Sequence, residues 1–372
     1  MDFDFYMPVK IVSGKDALKK NKNLFTAYGQ KCGIVTGKHS AQKSGALYDA
    51  LDSFKELGID YCIFNEIGEN PLIEACHKAG EFFREEEIDF ILGIGGGSVL
   101  DASKAIAIYT ANANLSPEDI YLRKYDNAPL DVLLVGTTSG TGSEVSSVAV
   151  LTNGKTGRKK SISGSDCYAK VVFADSTYTC SMPFNVTVST ALDALAHTVE
   201  GYLSSKCTFI PEIFASIALK DLWECLNYLN GTRNLPNEDM REKLYYASLH
   251  AGMVLNPCGT LFPHPLGYVL TENYGVPHGK ACTAFMTELI EKGIKHKKDR
   301  TENIFSTINT TKEEFCKVVE ELTDLPKIKM TEDEIISICS RWDSVTPGNF
   351  INSPGGFTKE EAEEIFREKF LG

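Results

Sequence analysis

The chain has 372 residues, of which 43% are hydrophobic and 24% charged, the composition of an ordinary globular protein long enough for two domains. A net charge of −12 argues against nucleic acid as a partner, because proteins bind its many backbone phosphates with Lys and Arg. No apolar stretch approaches the roughly 20 residues of a membrane helix, so no membrane partner is expected. The acidic N-terminus lacks a signal segment and the eleven cysteines form no CxxC pair, so we expect a cytoplasmic protein.

Short apolar runs alternate with helical stretches in the first half of the chain. Strands are predicted at residues 32–36, 61–64, 89–94, 131–136, 148–152 and 171–174, and helices at 40–57, 71–86 and 98–110. Asn70 is the expected cap of the helix over 71–86. This βαβα order predicts a doubly wound parallel sheet of Rossmann-like type, which binds ligands at the carboxyl ends of its strands.

The β pattern fades after Met182. Helices are predicted at residues 186–204, 211–228, 238–255, 280–292, 311–322, 332–341 and 359–370. We therefore expect an α/β domain over residues 1–182 and an all-α domain over residues 183–372.

Two turns rich in Gly, Ser and Thr follow predicted strands. Gly95-Gly-Gly-Ser98 opens a helix, and a pyrophosphate fits there because glycine lets the backbone approach a ligand and a helix start attracts anions. Thr137-Thr-Ser-Gly-Thr-Gly-Ser-Glu144 offers hydroxyl and amide groups that suit phosphate, ribose and a carboxamide. Either segment alone is a weak signal, but the two together favour a dinucleotide site over ordinary loops.

Four residues of the second half favour a metal site. Asp193 and His197 lie four apart in an apolar run, so on a helix they face the same way. A carboxylate with an imidazole is a ligand set for Fe, Zn or Mn, although a hydrogen bond bridging two helices is the structural alternative. His264 and His278 add two nitrogens, and the four groups would hold a divalent ion with a position left for substrate. A cleft between the domains would join this site to the glycine-rich turns.

These segments resemble the iron-containing (group III) alcohol dehydrogenases. The resemblance is carried by GGGSVLDASK at 95–104, TTSGTGSE at 137–144, ALDALAHTVEGY at 191–202, and His264 with Pro277-His278-Gly279. It runs from about residue 3 to the C-terminus. It implies NAD(P)(H)-linked interconversion of small primary alcohols and aldehydes by hydride transfer. It also implies Fe²⁺, or Zn²⁺, held by Asp193, His197, His264 and His278 and polarising the substrate oxygen.

The resemblance also implies a set of cofactor contacts in the first domain. The diphosphate loop would be Gly96, Gly97 and Ser98, with Asp101 just beyond it, and Thr137, Thr138 and Thr141 would lie along the cofactor. Asn70 matches a further cofactor-lining position. Lys160, or Lys159 if the alignment slips by one residue, matches a lysine that reaches the ribose.

Two positions depart from the family pattern. Many relatives carry an acidic residue where this chain has Gly37, and that carboxylate would repel a 2′-phosphate. Gly37 with Lys38 and Ser40 accommodates one, so NADP(H) is favoured and NAD(H) stays compatible. Many relatives also carry a histidine where this chain has Tyr268. We expect Tyr268 to face the site one helical turn after His264, as a hydrogen-bond donor, a catalytic group or a pocket wall.

Two other functions stay open. A dehydroquinate-synthase-like lyase has a similar two-domain architecture with bound NAD and metal, but it would need a basic pocket where this chain offers Phe, Pro, Leu and Tyr around His264. A metal- and nucleotide-binding regulator without turnover is the third possibility. As partners we expect a small alcohol or aldehyde substrate and further copies of the chain in a homo-oligomer, a dimer.

Overall fold

The computed structural model describes residues 3–372, which form two compact units. The sheet unit contains Tyr6–Pro183 together with Asn237–Gly252. The helical unit contains Phe184–Pro236 and Met253–Gly372, together with residues 3–5. Residues 237–252, which the sequence interpretation places in the helical domain, therefore pack with the sheet unit. The reason is a close backbone contact, since a Cβ on Gly142 would lie 2.4 Å from the Cα of Gly252.

A parallel sheet forms the centre of the sheet unit, as predicted, and it has six strands, of which the first, Lys10–Ser13, is absent from the predicted set. Its strands are β1 (Lys10–Ser13), β2 (Lys31–Thr36), β3 (Asp60–Phe64), β4 (Phe90–Gly95), β5 (Asp131–Gly136) and β8 (Val171–Ala174), in the order β1-β8-β5-β4-β2-β3. All six residues of β4 are buried, which is why this strand is continuously apolar. Two further strands, β6 (Val148–Thr152) and β7 (Lys159–Ser163), pair with each other as an antiparallel hairpin.

The helices of the sheet unit differ from the predicted ones at three places, and the first, Ala17–Lys20, is absent from the predicted set. They are α1 (Ala17–Lys20), α2 (Ser40–Lys43), α3 (Ala46–Leu57), α4 (Ile73–Glu85) and α5 (Gly97–Ala111), with the first part of α8 (Glu238–Cys258). The helix predicted over 40–57 is broken because Gly45 has φ 87°, a left-handed conformation. Asn70 does not cap α4, since α4 is preceded by extended Leu72, which forms a bridge with Thr152.

The loops after β2, β4 and β5 leave the sheet side by side. β2 pairs with β3 on one side and β4 on the other, so the strand order reverses between β2 and β4. In the register, Thr36 lies beside Ile94 and Gly95 lies beside Gly136, so these strands end at one edge. Ligands of such sheets bind at this switch point, beyond the carboxyl ends of the strands.

The helical unit confirms the all-α prediction. Its helices are α6 (Phe184–Leu203), α7 (Phe209–Thr232), the end of α8, α9 (Pro263–Tyr274), α10 (His278–Thr283), α11 (Met286–His296), α12 (Lys298–Thr307), α13 (Lys312–Thr323), α14 (Glu332–Cys339), α15 (Gly348–Ile351) and α16 (Lys359–Phe370). α12 and α15 are absent from the predicted set, and α9 is predicted only as the helical turn that places Tyr268 after His264. The helix predicted over 280–292 is divided into α10 and α11. Across residues 3–372, no helix combines the length and the apolar character needed to cross a membrane.

Candidate metal centre and cofactor loops

The central helix of the helical unit, α6, carries two carboxylates and one imidazole on a largely apolar and buried surface. Asp193 is 3% exposed, His197 6% and Glu200 0%. Their spacing of four and seven residues aligns them along one face of the helix. Charged or polar groups at such depth are costly unless each has a partner, so this face is built to bind something.

One carboxylate oxygen lies close to three imidazole rings. Asp193 Oδ1 is 3.8 Å from Nε2 of His197, 3.9 Å from Nε2 of His264 and 3.7 Å from Nε2 of His278. Each of the three predicted histidine ligands therefore lies within 3.9 Å of this oxygen, whereas the group of ligand atoms that all lie within 4.8 Å of one another contains Cys282 and not His197. Two ligand atoms of a tetrahedral site, each about 2.1 Å from the ion, lie about 3.4 Å apart, so the spacing fits a divalent ion among them.

Two glycines bring the three ligand-bearing helices together. A Cβ on Gly279, next to His278, would lie 1.8 Å from the backbone oxygen of Ser189 on α6. A Cβ on Gly267 of α9 would lie 2.8 Å from the backbone nitrogen of Cys282 on α10. Because any larger residue would force these helices apart, the two glycines set the distances between the ligands.

The environment of the rings also fits a metal ion. His264 is 2% exposed, and its Nε2 has no hydrogen-bond partner among the residues that the structure describes. A buried nitrogen lone pair of this kind is satisfied by a metal ion. The His278 side chain is 29% exposed, so the site is open on that side. A carboxylate with imidazoles suits iron or zinc.

Two residues that the sequence interpretation did not assign belong to the same cluster. The ligand atoms of Asp193, His264, His278 and Cys282 all lie within 4.8 Å of one another, and Cys282 Sγ is 3.6 Å from Nδ1 of His278. Burial raises the pKa of the Cys282 thiol. The sequence signal for Cys282 is its position four residues after His278 on a helix.

Glu200 is the second of these residues. Its Oε1 lies 2.7 Å from His264 Nδ1, and its Oε2 accepts a hydrogen bond from the backbone N–H of Leu261 over 2.6 Å. Burial raises the pKa of Glu200, and the adjacent His264 opposes that rise. Its sequence signal is its position seven residues after Asp193 in the same apolar helix.

Tyr268 lies beside the rings of the cluster, on α9 as its spacing from His264 suggests. Its ring is stacked on His278, with 5.5 Å between centroids and 24° between planes, and stands edge-on to His264 at 6.3 Å. The helix begins at Pro263, since proline is tolerated in the first turn, and it therefore holds His264 and Tyr268 one turn apart.

The glycine-rich turn of the sheet unit opens α5, a helix of 15 residues. A Cβ on Gly96 would lie 2.9 Å from Thr138 Cγ2, and one on Gly97 would lie 2.3 Å from Thr141 Cγ2. The two predicted cofactor segments are therefore in contact, with room only for glycine between them. The start of a long helix next to bare backbone is a cradle for an anionic phosphate.

Three of the other predicted cofactor residues, Asn70, Thr137 and Gly37, lie at the same sheet edge, whereas Lys160 lies on the β6–β7 hairpin. Asn70 donates its backbone N–H to Ser98 Oγ over 3.3 Å. Thr137 is 2% exposed, and its hydroxyl makes no hydrogen bond within the described part of the chain. Gly37 follows β2. Lys160 is exposed on β7, with Nζ 4.7 Å from the ring centroid of Tyr121.

Asp101 is engaged inside the sheet unit. Its carboxylate accepts hydrogen bonds from Ser143 Oγ over 2.5 Å and from the backbone N–H of Val150 over 2.8 Å. Burial raises its pKa, whereas Lys104 and these donors oppose the rise. Asp101 thus supports the loop after β5, and a direct contact between Asp101 and the cofactor stays a prediction.

Comparison with known proteins identifies the family. The family described as "Iron-containing alcohol dehydrogenase" matches residues 8–176, and "Fe-containing alcohol dehydrogenase family, C-terminal" matches residues 187–334. The fold is similar to that of an iron-containing alcohol dehydrogenase from Thermotoga maritima, with a TM-score of 0.90 and 34% identity over 99% of both chains.

Two relatives of named activity show the range of cofactors and substrates. The NADPH-dependent butanol dehydrogenase of Clostridium saccharobutylicum is 27% identical, over 99% of this chain and 98% of that protein. The NAD-dependent methanol dehydrogenase of Bacillus methanolicus is 27% identical, over 74% of this chain and 72% of that protein. The chain belongs to the iron-containing alcohol dehydrogenase family, as its motifs predicted, and is an oxidoreductase of that metal-dependent class.

Proposed function

We propose that the protein is a metal-dependent, NAD(P)(H)-linked alcohol dehydrogenase and aldehyde reductase that acts on small primary alcohols and aldehydes. Asp193, His197, His264 and His278 would hold the metal, Fe²⁺ or alternatively Zn²⁺. The observation that carries the proposal is that Asp193 Oδ1 lies within 3.9 Å of three imidazole Nε2 atoms in a buried setting. When bound, the metal would supply Lewis-acid polarisation of the substrate oxygen and the nicotinamide would supply hydride.

The residues of the chain supply charge, orientation and exclusion of water. One carboxylate with three neutral imidazoles leaves a divalent ion with one net positive charge, which attracts the oxygen of an aldehyde or an alcohol. Asp193, His197 and His264 are buried, so the electrostatic attraction acts in a medium of low dielectric constant. The more exposed His278 and the Tyr268 ring stacked on it mark the side on which a small substrate would enter.

The cofactor would bind at the switch point of the sheet. Its diphosphate would lie on Gly96, Gly97 and Ser98 at the start of α5, where the backbone is bare and the helix dipole favours an anion. NADP(H) is favoured because Gly37 places no carboxylate after β2, while Lys38 and Ser40 follow it directly. Relatives of both cofactor types exist, so NAD(H) use is the competing outcome.

The test is an NADPH oxidation assay over a panel of short aldehydes, with elemental analysis of the same samples. We expect wild-type protein to turn over and to hold one divalent metal per chain. His264→Ala should lose both turnover and metal. His77→Gln, a substitution on α4 of the sheet unit, should keep both and serves as the control. Unchanged metal content in His264→Ala would remove His264 from the site.

Assays of cofactor binding and of phosphate release on the same samples separate the other functions. Wild-type protein that holds metal and binds NAD(P)(H) but reduces no aldehyde would favour a regulator. Release of phosphate from a phosphorylated acid substrate, without net cofactor consumption, would favour the lyase.

A further inference from the structure

We infer that Glu200 is a positioning residue that fixes the ring proton of His264 on Nδ1 and thereby presents Nε2 as a metal ligand. The inference rests on the proposed function, because it takes the metal site for granted. It assigns a role to a buried carboxylate that contacts one of the four proposed ligands, His264.

The first observation is the orientation of the His264 ring. Nδ1 faces Glu200 Oε1 at 2.7 Å, while Nε2 faces Asp193 Oδ1 at 3.9 Å. A neutral imidazole carries one N–H and one lone pair, so the group that accepts the N–H decides which nitrogen can bind a metal. With a carboxylate at Nδ1, the lone pair lies on Nε2, the atom at the centre of the cluster.

The second observation is that both oxygens of Glu200 are committed. Oε2 accepts the backbone N–H of Leu261 over 2.6 Å, three residues before His264 on the same segment. Glu200 therefore holds both the ring of His264 and the backbone just before α9. The side chain is fully buried, so water cannot replace either contact. Carboxylates that accept the outer N–H of a metal-bound histidine orient the ring and raise its basicity.

The isosteric amide cannot reproduce this arrangement. A glutamine has one oxygen and one NH₂ group, whereas the site presents two N–H donors. If the Gln oxygen accepts from Leu261, the NH₂ faces Nδ1, and the ring proton moves to Nε2, where it blocks the metal. If the oxygen accepts from His264, two N–H groups face each other at Leu261. Either outcome weakens metal binding without changing the size of the side chain.

The test measures the Zn²⁺ affinity of metal-free protein against a competing chelator. Glu200→Gln should bind Zn²⁺ about 10- to 100-fold more weakly than wild type. The matched control is Glu272→Gln, which also removes a buried carboxylate from the helical unit. Glu272 lies on α9, and its carboxylate is paired with Arg341 at 3.0 Å. Glu272→Gln should keep the wild-type affinity. An unchanged Zn²⁺ affinity in Glu200→Gln would overturn the inference.

Two further measurements distinguish a failure of this inference from a failure of the proposed metal site and from misfolding of the variant. His264→Ala should lose Zn²⁺ binding; if it does not, the proposed site fails, whatever Glu200 does. If Glu200→Gln does not fold, the measurement is made by NMR on Zn²⁺-loaded wild-type protein with ¹⁵N-labelled histidine. The signal that is lost in His264→Ala should show a protonated Nδ1, and a protonated Nε2 would overturn the inference.

Discussion

Lys104 Nζ donates a hydrogen bond to the backbone oxygen of Ser143 over 2.8 Å from a side chain that is completely buried. The same ammonium donates to the backbone oxygens of Ser146 at 3.0 Å and Val148 at 2.7 Å, so its three protons meet three carbonyls. Asp101, one turn earlier on α5, lies 3.8 Å away. Lys104 therefore anchors the loop after β5 to the helix whose start forms the proposed diphosphate site.

Lys104→Met should lower the free energy of unfolding by about 3–5 kcal/mol, because it leaves Asp101 buried without its ionic partner and three carbonyls without a donor. The same change should weaken NADPH binding, since the loop over 137–144 loses its anchor. Urea unfolding and a cofactor titration measure the two effects. Lys78→Met, at a lysine whose side chain is 65% exposed, should change stability by less than about 0.5 kcal/mol. Equal stability of the two variants would contradict the anchoring role.

Glu144 should make the stability of the protein depend on pH. It is 2% exposed, and burial raises its pKa to about 7, against the opposing effect of Lys104. An unfolded glutamate releases its proton near pH 4.5. Between these two pH values the folded chain binds more protons than the unfolded chain, so stability falls as pH rises through the window and levels off above pH 7.

The predicted loss over this window is about 3 kcal/mol. Glu144→Gln removes it, so the variant should match wild type near pH 4, below the window, and exceed it in stability at pH 8. Urea unfolding at the two pH values checks this. The control is Glu66→Gln, at a side chain 58% exposed, which should leave the pH dependence of wild type unchanged. An equal fall in stability for Glu144→Gln and wild type would show that another group is responsible.

The two central strands could be predicted from the sequence because β4 is apolar at every position, β5 is apolar after Asp131, and both end at glycine. The outer elements could not. β1 and β7 are short and partly exposed, and β7 buries only Ile162, so their pairing depends on distant partners rather than on their own pattern. α9 has two prolines among its first three residues. In a sequence, prolines indicate the end of a helix unless they are known to lie in its first turn, where they are tolerated.

In the candidate site, too, some residues could be predicted from the sequence and others could not. Asp193 and His197 follow from helical spacing within one segment, and His264 and His278 follow from residue type. The contact of Glu200 with the Leu261 N–H joins residues 61 positions apart, and nothing in either segment predicts it. The dimer stays a prediction, as do the cytoplasmic location and the preference for NADP(H).

Gly37→Asp should reverse the proposed preference for NADPH. A carboxylate at this position would repel the 2′-phosphate and accept the ribose hydroxyls of NADH. The expected change is about ten- to a hundredfold in the ratio of kcat/KM values, or about 1–3 kcal/mol. A Cβ at Gly37 would lie 3.2 Å from the backbone oxygen of Ile67, so the side chain itself brings some crowding. Gly37→Asn adds the same bulk without charge and should leave the preference unreversed. A wild type that already prefers NADH by about tenfold would refute the argument from Gly37.

Tyr268→Phe should keep most of the aldehyde-reducing activity. The stacking of the ring on His278, at 5.5 Å between centroids, needs the ring and not the hydroxyl. We expect kcat/KM to stay within about tenfold of wild type, a loss of no more than ~1.4 kcal/mol.

Tyr268→Ala should cost more than Tyr268→Phe, because removing the ring exposes His278 and opens the site to water. The ring of Tyr268 packs against His278, so its removal can lower activity either by admitting water or by releasing the metal ion. Metal content measured on both variants separates these two causes. The two variants together show whether Tyr268 is a wall of the pocket or a catalytic acid. If Tyr268→Phe retains its metal but loses several orders of magnitude in kcat/KM, the hydroxyl is the catalytic acid, and the stacked geometry serves to orient the phenol toward the substrate oxygen.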